Sequence, residues 1–376
     1  MAENPLIGLH KQGMSIWLDY LDRKIMDSGH LRKLIDEDGI HGETSNPTIF
    51  QMGVSQGTEY AEDIARLSGE GRSAEEICWE LMIADVRRAC DIFRPLYDES
   101  DAAHGYVSLE LDPTLADETE PSIVQGRELW KRVDRPNLMI KVPATDAGLP
   151  VIRTLLSEGM NVNVTLLFAV RRYEQVMDAF FSGLEARRSA GGAVDRIHSV
   201  ASFFVSRTDT EVDKRLDGIV AARPEKANAA ARIRGRVAVA VSRVAYHAFE
   251  EHFNSERWRR LAAAGARLQR PLWASTGTKN PAYSDILYVQ DLIGPHCVNT
   301  VPEKTMNAFR DHGVAKRTLT DENRKDAEET LALISEAGVD IREVTERVLV
   351  REGVEKFKVS YRDLLKTIAE AAGRAD

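Results

Sequence analysis

One lysine lies within a short apolar run, LMIKVP, at residues 138–143. Successive side chains of a β-strand point to opposite faces. Lys141 therefore shares a face with Met139, and Leu138, Ile140 and Val142 lie on the other face. A lysine in such surroundings either pairs with a carboxylate or loses its proton readily, because desolvation disfavours the ammonium form. The neutral amine is a nucleophile that forms Schiff bases with carbonyl compounds. The run therefore indicates carbonyl chemistry at Lys141, with a salt bridge to Glu110 as the alternative.

Two carboxylates on other predicted strands suit proton transfer. Glu110 shares a strand face with Ser108, and it suits the transfers that form and dehydrate a carbinolamine. The alternative is that Glu110 serves only as the counter-ion of Lys141. Asp19 suits the acid/base that takes a hydroxyl proton during carbon–carbon cleavage. Asp22 is a nearby carboxylate that we predict to lie past the end of the strand.

Further polar residues are predicted on the same inner face. Asn46, Asn163 and Ser202 suit the hydroxyl groups of a polyol, and Thr165 suits a water molecule used by Glu110. For each one singly, a structural hydrogen bond is the alternative. A buried polar group without a partner costs roughly 1–3 kcal/mol, so such a set must be mutually hydrogen-bonded, built for a ligand, or both.

The elements that position these residues are short apolar segments, each followed by a longer helical stretch. This alternation indicates a parallel sheet, and eight such units favour a closed (β/α)8 TIM barrel over an open doubly wound sheet. The polar residues fall near the carboxyl ends of their strands, where barrel enzymes carry their chemistry. The predicted strands are 14–21, 40–50, 105–112, 138–144, 161–168, 197–207, 271–276 and 297–302.

The domain organisation predicted from the sequence is a single barrel spanning residues 1–376. Residues 208–268, between the sixth and seventh strands, are predicted to form a helical insertion. Residues 320–376 are predicted to form extra helices packed on the barrel and folding over one mouth.

Composition excludes several classes of protein. The formal net charge is -9, and a nucleic-acid binder would concentrate positive charge instead. No apolar run approaches eighteen residues and no secretory signal is evident, so we expect a cytoplasmic protein with no membrane partner. The histidines are scattered along the chain, and His41 and His198 stand at strand starts. We therefore expect no metal site and no cofactor.

Five segments, in this order, resemble motifs of the transaldolase family. They are TSNPTIF (44–50), SLELDPTLADET (108–119), NLMIKVPAT (137–145), GMNVNVTLLF (159–168) and SFFVSR (202–207). EGVEKFKVSYRDLLKTI (352–368) is similar to the family's closing helix, and WASTGTKNPAYSD (273–285) to a segment of its longer, actinobacterial-like members.

The resemblance implies a transferase of the pentose phosphate pathway that needs no metal or organic cofactor. The enzyme would move a dihydroxyacetone unit from fructose 6-phosphate or sedoheptulose 7-phosphate to erythrose 4-phosphate or glyceraldehyde 3-phosphate. The implied roles are Schiff-base formation by Lys141, acid/base cleavage by Asp19, a water relay by Glu110 and Thr165, hydroxyl binding by Asn46, Asn163 and Ser202, and phosphate binding by Arg207 and Ser275.

The chain departs from the family pattern at three points. Phe203 replaces a proline and Ser206 a glycine, and the second phosphate-binding arginine is missing. Lys279 is the nearest cation to the missing arginine, and we predict that it substitutes for it. Arg207 is predicted to end the sixth strand and Ser275 the seventh, which would make them neighbours around the barrel.

Two other functions stay open. One is a related Schiff-base aldolase that releases dihydroxyacetone, and the apolar Phe204, which would exclude water from the intermediate, favours transfer instead. The other is a non-catalytic sugar-phosphate sensor, against which the lysine and two carboxylates argue. The sequence also leaves a homo-oligomer open.

Overall fold

The computed structural model describes residues 4–373, and its eight parallel strands close into a barrel in sequence order. The predicted single (β/α)8 barrel architecture is therefore confirmed. Adjacent strands place Glu110 opposite Lys141, and Lys141 opposite Asn163. The strands are β1 (Ser15–Asp19), β2 (Ile40–Thr44), β3 (Tyr106–Glu110), β4 (Leu138–Pro143), β5 (Val162–Leu167), β6 (Ser199–Phe204), β7 (Gln269–Ala274) and β8 (Val298–Val301).

Helices follow the strands and surround the barrel. They are α1 (Pro5–Lys11), α2 (Arg23–Asp27), α3 (His30–Asp38), α4 (Pro47–Gln56), α5 (Ala61–Gly69), α6 (Ala74–Glu99), α7 (Thr119–Val133), α8 (Gly148–Ser157), α9 (Val170–Ser189), α10 (Ser206–Ala222), α11 (Ala227–Ile233), α12 (Val237–His252), α13 (Glu256–Ala262), α14 (Leu287–Gln290), α15 (Glu303–His312), α16 (Asp321–Ala337), α17 (Ile341–Glu343) and α18 (Leu349–Ala371). Pro113–Leu115 and Pro224–Lys226 form 3₁₀ turns, and Val344–Val348 a π-helical turn.

Two predicted strands run three residues or more past their observed carboxyl ends. The second ends at Thr44, because Asn46 caps α4 with its side chain and Pro47 occupies the first helical turn. The sixth ends at Phe204, and α10 begins at Ser206. The prediction that Arg207 ends a strand is therefore wrong, because this residue lies in the first turn of α10.

Helices α10 to α13 occupy most of the predicted insertion at 208–268, and α16 to α18 most of the described part of 320–376. The assignment of the whole chain to one domain stays a prediction. Helix α18 packs on α4, where the Thr48 hydroxyl donates to Ser360 Oγ over 2.7 Å. Its buried stripe includes Phe357 and Tyr361, so one helix of the C-terminal segment covers the carboxyl mouth of the barrel.

The barrel beneath this mouth is filled by aromatic side chains. Trp17 is buried on the inner face of β1, and its ring stacks with that of Tyr106 at 6.5 Å between centroids. A Cβ atom at Gly42 would lie 2.6 Å from the Trp17 indole and 2.8 Å from the Tyr106 carbonyl oxygen. Glycine is therefore required at position 42, and the interior of the barrel is filled at this level.

The amino end of the barrel holds a group of histidines. His10, His41 and His104 are far apart in sequence, yet their rings lie against one another. Burial lowers the pKa of His41 to about 2 and that of His104 to about 3, and the neighbouring cations and histidines act in the same direction. The histidines are scattered along the sequence but not in the folded protein, because closure of the barrel brings these three together.

None of the helices within residues 4–373 has the length and apolarity needed to cross a bilayer.

Glu43, on β2, is fully buried, and neither carboxylate oxygen has a hydrogen-bond partner among residues 4–373. Burial raises the pKa of this carboxyl well above its usual value, and the negative charge of Asp22 adds to the effect. The folded protein therefore keeps Glu43 protonated at pH values where the unfolded chain has released that proton.

Glu43→Gln should stabilise the protein more strongly as the pH rises. Below about pH 4, Glu43 is protonated in both the folded and the unfolded protein, so its ionisation does not affect stability. Above that pH, the contribution of Glu43 lowers the free energy of unfolding of the unmodified protein by about 1.4 kcal/mol per pH unit, until the pH reaches the folded-state pKa. Melting temperatures at pH 5 and pH 8 test this, with the exposed Glu62→Gln as control. An equal gain at both pH values would contradict it.

Candidate active site

Lys141 lies on the inner face of β4 and is 4% exposed. Its Nζ donates to Glu110 Oε2 over 3.0 Å and to the Ser45 carbonyl oxygen over 3.1 Å. Glu110 belongs to the adjacent strand at the directly opposed position, so the parallel register creates the pair. The salt bridge weighed as an alternative from the sequence is therefore present.

The ion pair does not prevent Lys141 from acting as a nucleophile. Burial raises the pKa of the Glu110 carboxyl, although the positive charge of Lys141 opposes this. A carboxyl with a raised pKa accepts a proton more readily, and the 3.0 Å contact gives that proton a direct path from Nζ. Glu110 is therefore positioned to exchange a proton with Lys141 Nζ.

Asp19 ends β1 and faces the same interior. Its Oδ1 accepts a hydrogen bond from Thr44 Oγ1 over 2.8 Å, and that hydroxyl lies 2.7 Å from Thr300 Oγ1. Burial raises the pKa of Asp19, whereas Lys141 and the Thr44 hydrogen bond act against the rise. The site thus contains a second carboxyl whose pKa is raised by burial, a direction that suits acid/base catalysis.

Asp22 has a different position and a different task. Its Oδ1 accepts the backbone N–H of Ile25 over 2.8 Å and caps α2. The side chain lies three residues past the end of β1 and is absent from the lining of the cavity described below.

The predicted hydroxyl-binding residues form part of a buried hydrogen-bond chain. Ser202 Oγ donates to Asn163 Oδ1 over 2.7 Å, and Asn163 Nδ2 donates to Ser108 Oγ over 2.9 Å. Thr165 Oγ1 is buried and has no hydrogen-bond partner among residues 4–373. Asn46 caps α4 and lines the cavity. Both explanations considered for the polar inner face therefore apply, because some groups satisfy one another and others face open space.

Aromatic rings enclose the lysine on the side of the C-terminal helix. Lys141 Nζ lies 5.6 Å from the centre of the Phe357 ring, which is 6.5 Å from that of Phe204. Phe168 packs behind Phe204 at 5.5 Å between centroids. These rings limit the access of water to Lys141.

The site opens into a cavity at the carboxyl end of the barrel. An inner space of about 110 Å³ is lined by Lys141 and Ser202, and an outer space of about 640 Å³ continues towards solvent. The two share lining residues that include Asp19, Arg207 and Phe357. Glu110, Asn163 and Thr165 do not line either space, so any role they have in chemistry runs through Lys141, Ser202 or a water molecule.

Three cations face this cavity: Arg207, Lys279 and Lys356. None of them has a hydrogen bond or ion pair to another residue in the described range 4–373. Burial lowers the pKa of Arg207 and that of Lys356, and for Lys356 the two neighbouring cations add to the effect. Arg207 is partly buried, whereas Lys279 and Lys356 are exposed. Cations without a partner that converge on one space are arranged for an anion.

The loop after β7 also lines this cavity, beside the three cations. Ser275 follows the strand with a positive φ of 55° and places its Oγ 3.1 Å from Ser206 Oγ at the start of α10. A non-glycine residue in this conformation is strained, and such strain is concentrated at functional sites. Ser275 and Arg207 are thus brought together, as predicted, although a helix rather than a strand carries Arg207.

Sequence reasoning missed Lys356, Thr44 and Thr300 as residues of the site. Lys356 immediately precedes Phe357, which belongs to the apolar stripe of α18, but periodicity alone does not show which residues of this helix line the cavity. Thr44 lies within the segment TSNPTIF, so the signal for it was present.

Comparison with known proteins gives a consistent result. The sequence model described as "Transaldolase/Fructose-6-phosphate aldolase" matches residues 16–368. The chain is 49% identical to proteins named transaldolase from Mycobacterium bovis (strain BCG / Pasteur 1173P2) and Mycobacterium tuberculosis (strain H37Rv), over 97% of this chain and 96% of each relative. It is 48% identical to a transaldolase of a Parafrankia species, over 99% of both chains.

Removing either member of the central pair should unbalance a buried charge. Lys141→Met leaves Glu110 without its cation, and breaking a buried pair typically costs roughly 3–5 kcal/mol. Adding Glu110→Gln to that variant should recover much of the loss, because the amide carries no charge. Thermal unfolding of both single variants and the double variant measures the coupling; strictly additive effects would contradict it.

Proposed function

The chain belongs to the transaldolase/fructose-6-phosphate aldolase family and acts as a transaldolase, and we propose that Lys141 forms the Schiff base that carries the transferred dihydroxyacetone unit. The observation that supports this role is the buried Lys141–Glu110 pair beneath a cavity that Asp19 and three unpaired cations also line. The substrates are phosphorylated sugars, a ketose phosphate as donor and an aldose phosphate as acceptor.

In the first step, the uncharged Lys141 amine attacks the ketose carbonyl and forms a carbinolamine. Glu110, which has taken the lysine proton, is the proton source for the departing hydroxide, which leaves as water and gives the iminium ion. The predicted position of the relay water is between Glu110 and the Thr165 hydroxyl, because that hydroxyl is otherwise without a partner among residues 4–373. After transfer, a water molecule adds to the iminium of the new ketose phosphate and gives up a proton to Glu110. Collapse of the resulting carbinolamine releases the product and the Lys141 amine.

In the second step, Asp19 accepts the proton of the hydroxyl group next to the bond that breaks. The aldose phosphate leaves as an aldehyde, and the bonding electrons move into the iminium to give an enamine on Lys141. An acceptor aldehyde then reacts with the enamine, and Asp19 returns the proton to the new hydroxyl group. Ser202 and Asn46 line the cavity where the dihydroxyacetone hydroxyls would bind, and Asn163 orients Ser202.

Arg207, Lys279 and Lys356 are proposed to bind the substrate phosphate together with Ser275. Arg207 offers a planar, bidentate donor set, and its guanidinium carbon lies 5.1 Å from the Phe204 ring centre, so stacking fixes its orientation. The two lysines act as point charges. The missing second arginine is thus replaced by two lysines from different elements, the β7 loop and α18.

Enclosure of Lys141 by Phe204 and Phe357 supports transfer over release of free dihydroxyacetone. Hydrolysis of the enamine needs a water molecule that can protonate it and attack the resulting iminium, and the rings occupy that space. Measuring the ratio of free dihydroxyacetone to transfer product distinguishes a transaldolase from the alternative, an aldolase that releases dihydroxyacetone.

Reduction with borohydride in the presence of fructose 6-phosphate should attach a reduced dihydroxyacetone unit to Lys141. Peptide mass mapping checks the position, and Lys141→Met should show no adduct. Lys279 and Lys356 line the same cavity and are internal controls for non-specific modification. An adduct on either of them, or persistent labelling of the Lys141→Met protein, would contradict the role of Lys141 as the Schiff-base residue.

Asp19→Asn should retain the borohydride-trapped adduct but slow cleavage by about 10²–10⁴-fold, the usual contribution of a general acid/base. Asp22→Asn is the matched control, because asparagine also caps helices and Asp22 does not line the cavity. Single-turnover release of the aldose phosphate measures the step. If Asp22→Asn is the slower of the two, Asp19 is not the acid/base.

Arg207→Ala should raise KM for fructose 6-phosphate about 10- to 100-fold, because hydrogen bonds to charged groups contribute roughly 1.5–3 kcal/mol. Lys279→Ala and Lys356→Ala should raise KM by smaller factors. Turnover of unphosphorylated fructose should change little in all three.

Lys366→Ala is the matched control for Lys356, because Lys366 lies exposed on the same helix. Steady-state kinetics with both sugars provide the measurement. Equal losses for fructose and fructose 6-phosphate would show that these cations support the fold rather than hold phosphate.

A further inference from the structure

Three histidines from separate elements meet at the amino end of the barrel, opposite the catalytic mouth. His10 lies in the last turn of α1, His41 on β2, and His104 in the loop before β3. Their ring centroids are 4.5, 4.3 and 5.4 Å apart, and one ring nitrogen from each can be chosen so that all three lie within 4.8 Å of one another.

Two of these rings carry polar atoms that the protein does not satisfy. The Nδ1 atoms of His41 and His104 are buried and have no hydrogen-bond partner among residues 4–373. His198 lines a cavity beside His10 and His104, and its Nε2 also has no hydrogen-bond partner among residues 4–373. Buried polar groups in folded proteins nearly always have a partner, so unpartnered nitrogens on two of the three clustered rings call for an occupant.

We propose that His10, His41 and His104 bind one divalent transition-metal ion, with zinc as the ion that this donor set suits best. Imidazole nitrogen is a preferred ligand of zinc, copper and nickel, whereas magnesium and calcium require oxygen. A bound zinc ion at 2.0–2.1 Å from each nitrogen would need the nitrogens about 3.4 Å apart, which follows from tetrahedral geometry. Small rotations of the three rings, of which that of His10 is exposed, would bring nitrogens that now lie within 4.8 Å of one another to this spacing.

The fourth ligand position faces a cavity of about 420 Å³ that His104, His198 and Arg270 line. A water molecule there would complete a tetrahedral set. Arg270 opposes a cation, because its guanidinium is buried nearby and is held by Ser15 Oγ and the Cys297 carbonyl oxygen. The site should therefore bind zinc less tightly than a zinc site with carboxylate neighbours would.

The metal would act on stability and not on the reaction. It would join the N-terminal helix α1 to the barrel wall at the end of the barrel opposite Lys141. An ion that binds the folded state and not the unfolded chain raises the melting temperature. This inference does not rest on the proposed catalytic roles.

The test uses untagged protein stripped of metal, titrated calorimetrically with zinc chloride. One zinc ion should bind per chain, and zinc should raise the melting temperature. His10→Ala and His104→Ala should each weaken binding at least about 10-fold, because even changes beyond the direct ligands of a metal cost 10- to 100-fold. His10 is exposed, so its variant should fold even where His104→Ala does not. His312→Ala is the matched control for adventitious binding at a surface histidine beside Asp285 and Asp311.

X-ray absorption of the zinc-loaded protein gives an independent readout. Three imidazole nitrogens at about 2.0–2.1 Å support the site. Binding lost in His312→Ala but kept in the His10 and His104 variants would overturn it, as would heat changes with inorganic phosphate but none with zinc. The latter result would instead mark the cavity beside Arg270 as an anion site. Transaldolase activity should be the same with zinc and with EDTA, and its loss on chelation would also overturn the stabilising role.

Discussion

The burial of a lysine ammonium and a glutamate carboxylate inside a barrel is the constraint on which the rest of this structure depends. Lys141 and Glu110 lie opposite each other on adjacent strands, and neither can be accommodated there without the other. A single buried charge costs several kcal/mol, so the pair is retained only because it is matched in register and hydrogen-bonded. The same contact, at 3.0 Å between Nζ and Oε2, is the path by which the proposed Schiff-base chemistry would exchange a proton between the two groups.

The two halves of the barrel divide the work of stability and chemistry. In the lower half, Trp17 and Tyr106 fill the interior, and they can pack there because Gly42 has no side chain. In the upper half, polar residues replace this filling and a helix from the far end of the chain covers the opening. The aromatic floor excludes water from below, and Phe204 and Phe357 restrict it from the side. The lysine thus lies in an enclosed space although the barrel mouth opens to solvent.

The proposed phosphate site is distributed over elements that are distant in sequence. Arg207 comes from the first turn of α10, Lys279 from the loop after β7, and Lys356 from the helix that covers the mouth. Because α18 carries both Lys356 and Phe357, the same helix would contact the phosphate and the surroundings of the Schiff base. Docking of this helix is therefore part of building the site and not only of covering it.

The amino-acid sequence by itself determined the barrel class and the inner face of its strands. Alternation with a period of two is a local property, so it assigned Lys141, Glu110 and Asp19 to one face without knowledge of the fold. It could not fix where a strand gives way to a helix, as the position of Arg207 shows, because the start of α10 depends on how the chain leaves the barrel. Closure of the barrel and docking of the last helix decided the remainder. Contacts between distant segments alone bring Lys356, Thr300 and the three histidines of the amino end to their places, and no local periodicity records such contacts.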